Sequence, residues 1–270
     1  MILDYKLYQH DTSKEWVVFL HGVGGNHTLF YKQAKRFKKY FNCVFINFPG
    51  HGNSDSIDIK YTCKNIAKKV MEVLDHLNIK KAHLVGISLG TMVMTEMCRR
   101  TPERIASMTM GGAVIKWKFW TDILFKLAYL VRSIVPYMFL YKLFAGILMP
   151  KKNHKKSRNM FVREAAKLGQ SEFVRWAELL VTSNNLHKTF VNMSNKVPKL
   201  FLMGDEDHVF IEGAEYAVDR DSYSSLEVIS DCGHVCNIDQ AQDFNEASIN
   251  FIQQHISCKQ TEKLVNTTIA

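Results

Sequence analysis

Short apolar segments alternate with amphipathic helical segments through residues 1–112, and the same alternation returns after residue 195. The predicted strands are 2–8, 16–20, 43–47, 83–87, 105–110, 199–203 and 226–229. Apolar residues recur at helical spacing in 29–40, 63–77, 89–100, 212–218 and 241–255. Such alternation is typical of a mostly parallel sheet with helices on both faces. The sequence therefore predicts an α/β fold.

Residues 113–195 interrupt this alternation, because that segment is helical, aromatic and basic in character. We therefore predict one core domain from 1–112 and 196–258, with 113–195 inserted as a helical cap. Residues 259–270 are polar and lack periodicity, which predicts a flexible tail. Charged residues interrupt the apolar part of the insertion, so no uncharged run reaches the roughly 18 residues that span a bilayer.

The positive charge of the chain is concentrated in one segment. The whole chain has a net charge of +9. Residues 113–170 contain twelve Lys and Arg and two acidic residues, a net charge of +10, so the rest of the chain is close to neutral. A basic patch confined to the cap argues against nucleic acid as a partner. The basic run 151–158 lies beside the apolar part of the cap, and two interpretations are open: transient contact with an anionic membrane surface, or a solvated loop.

Six cysteines are scattered without a Cys-x-x-Cys pair, and free thiols are expected in a chain large enough to bury its own core. Cys232 and Cys236 flank His234, but this single loop offers no distant fourth ligand, so no metal site is predicted. Residues 1–6 lack the basic, apolar and small-residue regions of an export signal, which predicts a cytoplasmic protein.

Residues 86–90 read Gly-Ile-Ser-Leu-Gly and join the predicted strand 83–87 to the helix that begins at Leu89. A Gly-x-Ser-x-Gly turn at such a junction holds the serine in a strained backbone conformation, and its small flanking residues let other backbone approach closely. Ser88 is therefore the predicted nucleophile. The competing interpretation is a tight turn whose serine only caps the helix.

With this turn, a glycine-rich turn at 21–25 and polar loops after the late strands, the chain resembles the α/β-hydrolase superfamily from residue 16 to 251. The resemblance is to the small bacterial esterases, lipases, lactonases and C–C hydrolases of that superfamily. It implies the α/β-hydrolase fold, a mostly parallel central sheet flanked by helices with an inserted helical cap. It also implies a Ser, Asp, His order of catalytic residues and no metal or organic cofactor.

The resemblance implies partners for Ser88. Serine needs a neighbouring imidazole to accept its proton, and His234 holds that position after the last predicted strand. The imidazole in turn needs a carboxylate that fixes its tautomer. Asp207 matches the acid of the family, three residues after Gly204, while Asp205 remains a competing candidate.

The same resemblance places the oxyanion-binding groups. The backbone N–H groups of Val23 and Leu89 are the implied donors, Val23 because it lies in the glycine-rich turn 21–25. His21 in this turn is expected to be structural. Residues 49–54 resemble the Pro-Gly-x-Gly-x-Ser turn of the family and are assigned an architectural role.

Nine aromatic residues between 117 and 144 predict a cap that lines an apolar pocket. The predicted function is therefore hydrolysis of a carboxylic ester of an apolar acyl substrate, a small molecule, through an acyl-enzyme. Four reactions of the same residues are alternatives: C–C bond hydrolysis, lactone opening, thioester cleavage and acyl transfer. A non-catalytic ligand-binding protein is the alternative of another class.

Overall fold

The structure is a computed structural model that describes residues 1–132, 134–183, 186–193 and 195–268, with side chains up to 257 except at 186 and 187. Within these ranges seven strands form one sheet: β1 (Tyr5–Tyr8), β2 (Trp16–Leu20), β3 (Asn42–Ile46), β4 (Ala82–Ile87), β5 (Ile105–Gly111), β6 (Lys199–Gly204) and β7 (Ser224–Ile229). Their spatial order is β1-β3-β2-β4-β5-β6-β7, and only the β1–β3 pair is antiparallel. The predicted mostly parallel sheet is confirmed.

Strands β3 to β6 are buried along their whole length, because helices cover both faces of the sheet. The covering helices of the core are α1 (Tyr31–Phe37), α2 (Cys63–His76), α3 (Leu89–Arg100), α9 (Ile211–Val218), α10 (Cys236–Asp239) and α11 (Ala241–Thr268). Short apolar strands buried on both sides are what a parallel sheet requires. The α/β-hydrolase arrangement of a parallel sheet between helices is thus observed.

The insertion between β5 and β6 is helical. It contains α4 (Phe119–Leu130), α5 (Tyr137–Leu148), α6 (Lys155–Ala165), α7 (Gln170–Thr182) and α8 (Leu186–Val191). Helix α4 packs on α7 and α5 packs on α6, whereas α8 contacts α3 and α9 of the core. We call α4 to α7 the cap.

Buried polar contacts fasten the cap to the core. The Trp176 indole donates to the carbonyl oxygen of Pro49 at 3.2 Å, and the Tyr61 hydroxyl donates to the Glu172 carboxylate at 2.7 Å. The Asn26 amide donates to a Glu164 carboxylate oxygen at 2.7 Å. Because a buried polar group left without its partner costs about 1–3 kcal/mol, these contacts fix where the cap sits on the core.

Two boundaries differ from the sequence-based expectation. The single helix predicted over 29–40 is a 3-10 turn, His27–Phe30, followed by α1. Helix α11 continues to Thr268 instead of ending at 255, so 259–268 are helical where a tail was predicted; residues 269–270 lie outside the described residues. No Gly or Pro interrupts 241–268, and Lys, Gln, Glu and Leu in its last turns are good helix formers.

Five of the six cysteines are buried free thiols, as the sequence predicted; the side chain of Cys258 is outside those described. None of the helices in the described part of the chain combines the length and the apolar character needed to cross a bilayer.

The close approach of α3 to β2 gives a stability test. A Cβ added to Gly90 would lie 2.1 Å from the carbonyl oxygen of Leu20, whereas one added to Gly146 on α5 would meet nothing within 4 Å. We expect Gly90→Ala to lower the free energy of unfolding by roughly 1–3 kcal/mol or more. Gly146→Ala should raise it by roughly 0.5–1 kcal/mol, because Ala favours a helix interior. Urea unfolding measures both, and shifts of the same sign would contradict the packing described.

Candidate active site

Ser88 lies between the last residue of β4 and the first residue of α3. Its backbone has φ +53° and ψ −119°, in the left-handed range that a non-glycine residue adopts only under strain of about 1–3 kcal/mol. The N–H of Ser88 donates to the carbonyl oxygen of Gly111 on β5 at 3.0 Å, which holds the turn against the sheet. Among the described residues, its hydroxyl makes no capping hydrogen bond to α3, contrary to the competing helix-cap interpretation.

Asp207 and His234 form a buried pair in the loops that follow β6 and β7. His234 Nδ1 lies 2.8 Å from Asp207 Oδ2, and both side chains are fully buried. A carboxylate only accepts, so Nδ1 carries the proton, and Nε2 of the neutral ring is left as an acceptor. The Phe210 ring packs on the imidazole with ring centroids 4.9 Å apart. The backbone N–H of Phe210 donates to Asp207 Oδ1 at 3.3 Å.

The two candidate acids occupy different positions. Asp205 is exposed, and its Oδ1 accepts from the N–H of Cys232 at 3.4 Å. Asp207, by contrast, is the carboxylate that contacts the imidazole of His234. The geometry therefore favours Asp207 as the acid.

Ser88 and His234 both lie at the carboxyl edge of the sheet, where the consecutive residues Gly111 and Gly112 contact Ser88 and His234 respectively. The carbonyl oxygen of Gly111 accepts the hydrogen bond from the Ser88 N–H. The next residue is Gly112, where an added Cβ would lie 3.1 Å from His234 Nδ1. Val235 lines the same small cavity as Ser88, which has about 300 Å³ of empty space. His234 Nε2 is buried and has no hydrogen-bond partner in the described part of the chain. Contacts between nucleophile and base are often long without substrate and tighten in the complex.

The implied oxyanion donors flank the serine. A Cβ added to Gly22 would lie 3.8 Å from Ser88 Oγ, so the turn that contains Val23 runs beside the hydroxyl. Leu89 is the first residue of α3, and the first N–H groups of a helix have no intrahelical acceptor. The positive end of the helix dipole also favours a negative charge at this point.

Two buried histidines hold the turn of Val23 in place. His21 Nε2 accepts from the N–H of Phe48 at 3.0 Å, and His51 Nε2 accepts from the N–H of Gly24 at 2.9 Å. Burial lowers the pKa of His51 to about 4, and burial together with the nearby His51 lowers the pKa of His21 well below its ordinary value. Both rings are therefore neutral near pH 7, which agrees with the structural role expected for His21 and the 49–54 turn.

His154 is a residue whose place the sequence did not reveal. Its polar, basic surroundings predict an exposed side chain, but it is fully buried at the start of α6. His154 Nε2 lies 2.5 Å from Glu206 Oε2, and a Cβ added to Gly233 would lie 2.9 Å from the ring of His154. The histidine thus contacts both neighbours of the proposed pair, Glu206 before Asp207 and Gly233 before His234.

The rest of this cap segment contacts the same two loops. Lys151 Nζ also binds the Glu206 carboxylate, and Asn153 donates to Glu206 at 3.0 Å and to the Asp231 carbonyl oxygen at 3.1 Å. We call residues 151–154 the cap clamp. The basic character of the run was visible in the sequence, but its acidic partner lies far away along the chain.

The cap and core enclose an apolar cavity with an empty volume of about 720 Å³, part of it open to solvent. Val23 lines this cavity, and the Tyr141 hydroxyl at its wall donates to the carbonyl oxygen of Val23 at 2.8 Å. Burial raises the pKa of Tyr141, so this hydroxyl stays protonated and able to donate. The other lining residues are Leu124, Phe125, Ala128, Tyr129, Arg132, Leu140, Leu143, Phe144, Ile147, Phe173, Ala177, Leu180 and Val181.

The thiols beside His234 are engaged with the backbone. Cys232 Sγ donates to the Ile229 carbonyl oxygen and Cys236 Sγ to that of Leu202, both at 3.4 Å. Burial raises the pKa of both thiols, that of Cys236 to about 12. Within the residues whose side chains are described, no cluster of three or more His, Cys, Asp or Glu is arranged to hold a metal ion.

Known proteins share this architecture. A family profile described as "alpha/beta hydrolase fold" matches residues 15–128. A hydrolase from Oleispira antarctica superposes with a TM-score of 0.83 at 18% identity, over 93% of this chain and 94% of that one. An esterase from Exiguobacterium antarcticum gives 0.81 at 19% identity, over 93% and 95%. The chain therefore has the α/β-hydrolase fold.

Curated relatives of this chain carry several activity names. The 3-oxoadipate enol-lactonase 1 of Acinetobacter baylyi is 32% identical over 106 residues, which is 39% of either chain. The match therefore spans about two fifths of that relative. A 2-hydroxy-6-oxononadienedioate/2-hydroxy-6-oxononatrienedioate hydrolase of Paraburkholderia phymatum is 25% identical over 93% of this chain and 92% of its own.

The cap clamp predicts a specific dependence of stability on pH. Hydrogen bonds from Lys151 and Asn153 lower the pKa of Glu206 from 4.5 to about 2. Ionised Glu206 therefore stabilises the folded protein fully above about pH 5, and this contribution is lost as the pH falls from there through about 2. We expect Glu206→Gln to make the free energy of unfolding fall less steeply over that interval than in the wild type.

Urea unfolding followed by circular dichroism at a series of acidic pH values tests this expectation. Glu227→Gln is the matched control, because Glu227 is exposed on β7 and should keep the wild-type pH dependence. A Glu206→Gln variant with the wild-type pH dependence would show that the clamp contacts contribute nothing to stability.

Proposed function

We propose that this protein is a serine hydrolase that cleaves a carboxylic ester of an apolar acyl substrate through an acyl-enzyme. One observation carries the proposal. A serine in a strained turn shares the carboxyl edge of the sheet with a buried His234–Asp207 pair whose Nε2 has no partner within the described residues. A buried basic nitrogen without a hydrogen-bond partner lowers the stability of the folded protein. Accepting the proton of a nucleophile is a function that such a nitrogen can serve.

The chemistry follows from the groups at the site. Ser88 Oγ attacks the ester carbonyl carbon while its proton passes to His234 Nε2, and Asp207 stabilises the imidazolium that results. The N–H groups of Val23 and Leu89 bind the oxyanion of the tetrahedral intermediate. As this intermediate collapses, the leaving alcohol takes the proton from Nε2. Water then attacks the acyl-enzyme with the same histidine as base, and the acid is released from Ser88.

The cavity supports an apolar acyl group. It begins at Val23, a proposed oxyanion donor, and passes between α4, α5 and α7 with aliphatic and aromatic walls. Pockets of this kind bind the apolar part of a ligand while a few polar groups fix its reacting end. An acyl chain with its carbonyl beside Ser88 would extend into this space.

Lactone opening is a second candidate, because the relative at 32% identity is named an enol-lactonase and a lactone is an internal ester. C–C bond hydrolysis is a third, supported by the name of the relative that matches along most of the chain. All three reactions would use Ser88, Asp207 and His234 in the roles given above. Turnover of a panel of esters, thioesters, lactones and ring-cleavage diketones would rank them.

Removal of the nucleophile is the direct test. We expect Ser88→Ala to abolish labelling by a fluorophosphonate and to lower kcat for p-nitrophenyl esters by roughly 10⁴-fold or more. Ser107→Ala is the matched control, because Ser107 is also a buried serine and its Oγ lies 2.7 Å from Nδ1 of His83. The control should keep both labelling and turnover.

The outcome also separates an enzyme from a binding protein. A wild-type chain that binds apolar ligands but neither labels nor turns over any ester, thioester or lactone would contradict the proposal. Labelling that survives in Ser88→Ala and disappears in Ser107→Ala would move the nucleophile to another site.

The acyl pocket makes a prediction about chain length. Ala128 lines the cavity, so Ala128→Phe should shorten it and lower kcat/KM for p-nitrophenyl decanoate by roughly tenfold or more. Turnover of p-nitrophenyl acetate should change little, because its acyl group does not reach α4. Ala166→Phe is the control, since Ala166 is exposed. An equal loss for both esters would show that the acyl chain binds elsewhere.

A further inference from the structure

Exposed apolar side chains are concentrated on one part of the cap. Sixteen large hydrophobic side chains are exposed in the described part of the chain, and nine of them lie between residues 119 and 143. Ile134, Phe119 and Leu130 are exposed by 86%, 81% and 69%. Scattered exposed apolar residues are normal, but a contiguous cluster marks an interaction surface.

Helix α4 carries most of this cluster on one face. At about 100° per residue, its exposed residues fall within one arc of about 100°. These residues are Phe119, Trp120, Ile123, Leu127 and Leu130. The other side of α4 carries Leu124, Phe125 and Ala128 and lines the acyl cavity. The helix is thus apolar on two faces, of which the described residues cover only one.

The loop after α4 and helix α5 extend the cluster. Ile134 follows α4, and Phe139 and Leu143 are 63% and 50% exposed on α5 with the exposed Lys142 between them. A Cβ added to Gly146, one turn beyond Lys142, would meet nothing within 4 Å. We call the exposed apolar residues between 119 and 143 the docking face.

Charge indicates what covers this face. Residues 113–170 have a net charge of +10, and Lys118, Lys126, Arg132 and Lys142 lie on or beside the docking face. Lys126 pairs with Asp122, and Lys118 pairs with Glu212 of the core. A second copy of the chain would bring two positively charged caps together, which is unfavourable. Anionic lipid headgroups complement basic residues, and the acyl region beneath them accepts apolar side chains.

We propose that the docking face binds reversibly to the surface of an anionic lipid bilayer. The apolar side chains of α4 and α5 enter the headgroup and acyl boundary, and the surrounding Lys and Arg contact the headgroups. In the basic run 151–158, Lys151 binds Glu206 and the Arg158 guanidinium donates to the carbonyl oxygen of Met149, so these two cations contact the protein itself. Binding to lipid does not depend on catalysis by Ser88.

Docking would also deliver substrate. With one face of α4 against lipid and the other lining the acyl cavity, a single helix separates the membrane from the pocket. This consequence rests on the proposed function, since it concerns an apolar ester that partitions into the bilayer.

Co-sedimentation of the full chain with vesicles at low salt tests the docking. The vesicles contain equal parts of phosphatidylcholine and phosphatidylglycerol, and the wild type should sediment with them. We expect the double variant Leu130→Glu with Ile134→Glu to lower the vesicle partition coefficient at least tenfold. Ile59→Glu with Val228→Glu is the control, because these residues are exposed elsewhere and the charge change is the same. Circular dichroism is used to check that both variants are folded.

Other measurements separate docking from catalysis. Ser88→Ala should sediment like the wild type, so a failure of the proposed catalysis leaves the lipid result intact. The fraction of protein that sediments with vesicles should fall steeply as salt is added. It should also be lower with vesicles of phosphatidylcholine alone than with the anionic vesicles. Both results would support the role of the basic residues.

Three results would overturn the proposal. The first is a wild type that does not sediment with the anionic vesicles. The second is equal binding by the docking-face variant and its control. The third is a dimer of the wild type in the absence of lipid, seen by analytical ultracentrifugation and lost in the docking-face variant, together with no vesicle binding by any variant. That result would identify a second copy of the chain as the occupant of the docking face.

Discussion

The backbone of Ser88 is the constraint around which the site is built. A serine at φ +53° persists only where its surroundings hold it, and here β4 on one side and α3 on the other determine its position. The hydrogen bond to Gly111 on β5 and the contact of Gly90 with β2 tie the turn to both neighbouring strands. Because parallel strands end at the same edge, the loops after β6 and β7 then bring Asp207 and His234 to that edge.

Burial and hydrogen bonding give similar histidines different roles. His21 and His51 have a backbone carbonyl oxygen beside Nδ1, and Nε2 of each accepts a backbone N–H that fixes the turn of Val23. His234 has a buried carboxylate on Nδ1 and leaves Nε2 without a partner among the described residues. The three imidazoles are chemically the same, so the difference comes from the groups that the tertiary structure places around each ring.

The cap has two physical tasks at opposite sides of the site. The cap clamp places a buried His154 and the charge of Lys151 against the loops of Asp207 and His234, which restricts the movement of both loops. Helix α4, in contrast, lines the apolar cavity with one face, and its other face is exposed in the part of the chain that the structure describes.

The sequence by itself determined the order of strands and helices, the turn at Ser88 and the positions of the acid and base candidates. These depend on short-range properties: periodicity of apolar residues, glycines beside a serine, and spacing from the end of a strand. It left Asp205 and Asp207 as competitors, because both follow the same strand by a few residues. Only the tertiary structure decided which carboxylate contacts His234, that His154 is buried, and that one face of α4 is exposed. Each of these depends on which distant segment of the chain packs on a given side chain. The local sequence pattern around a residue does not indicate such a contact.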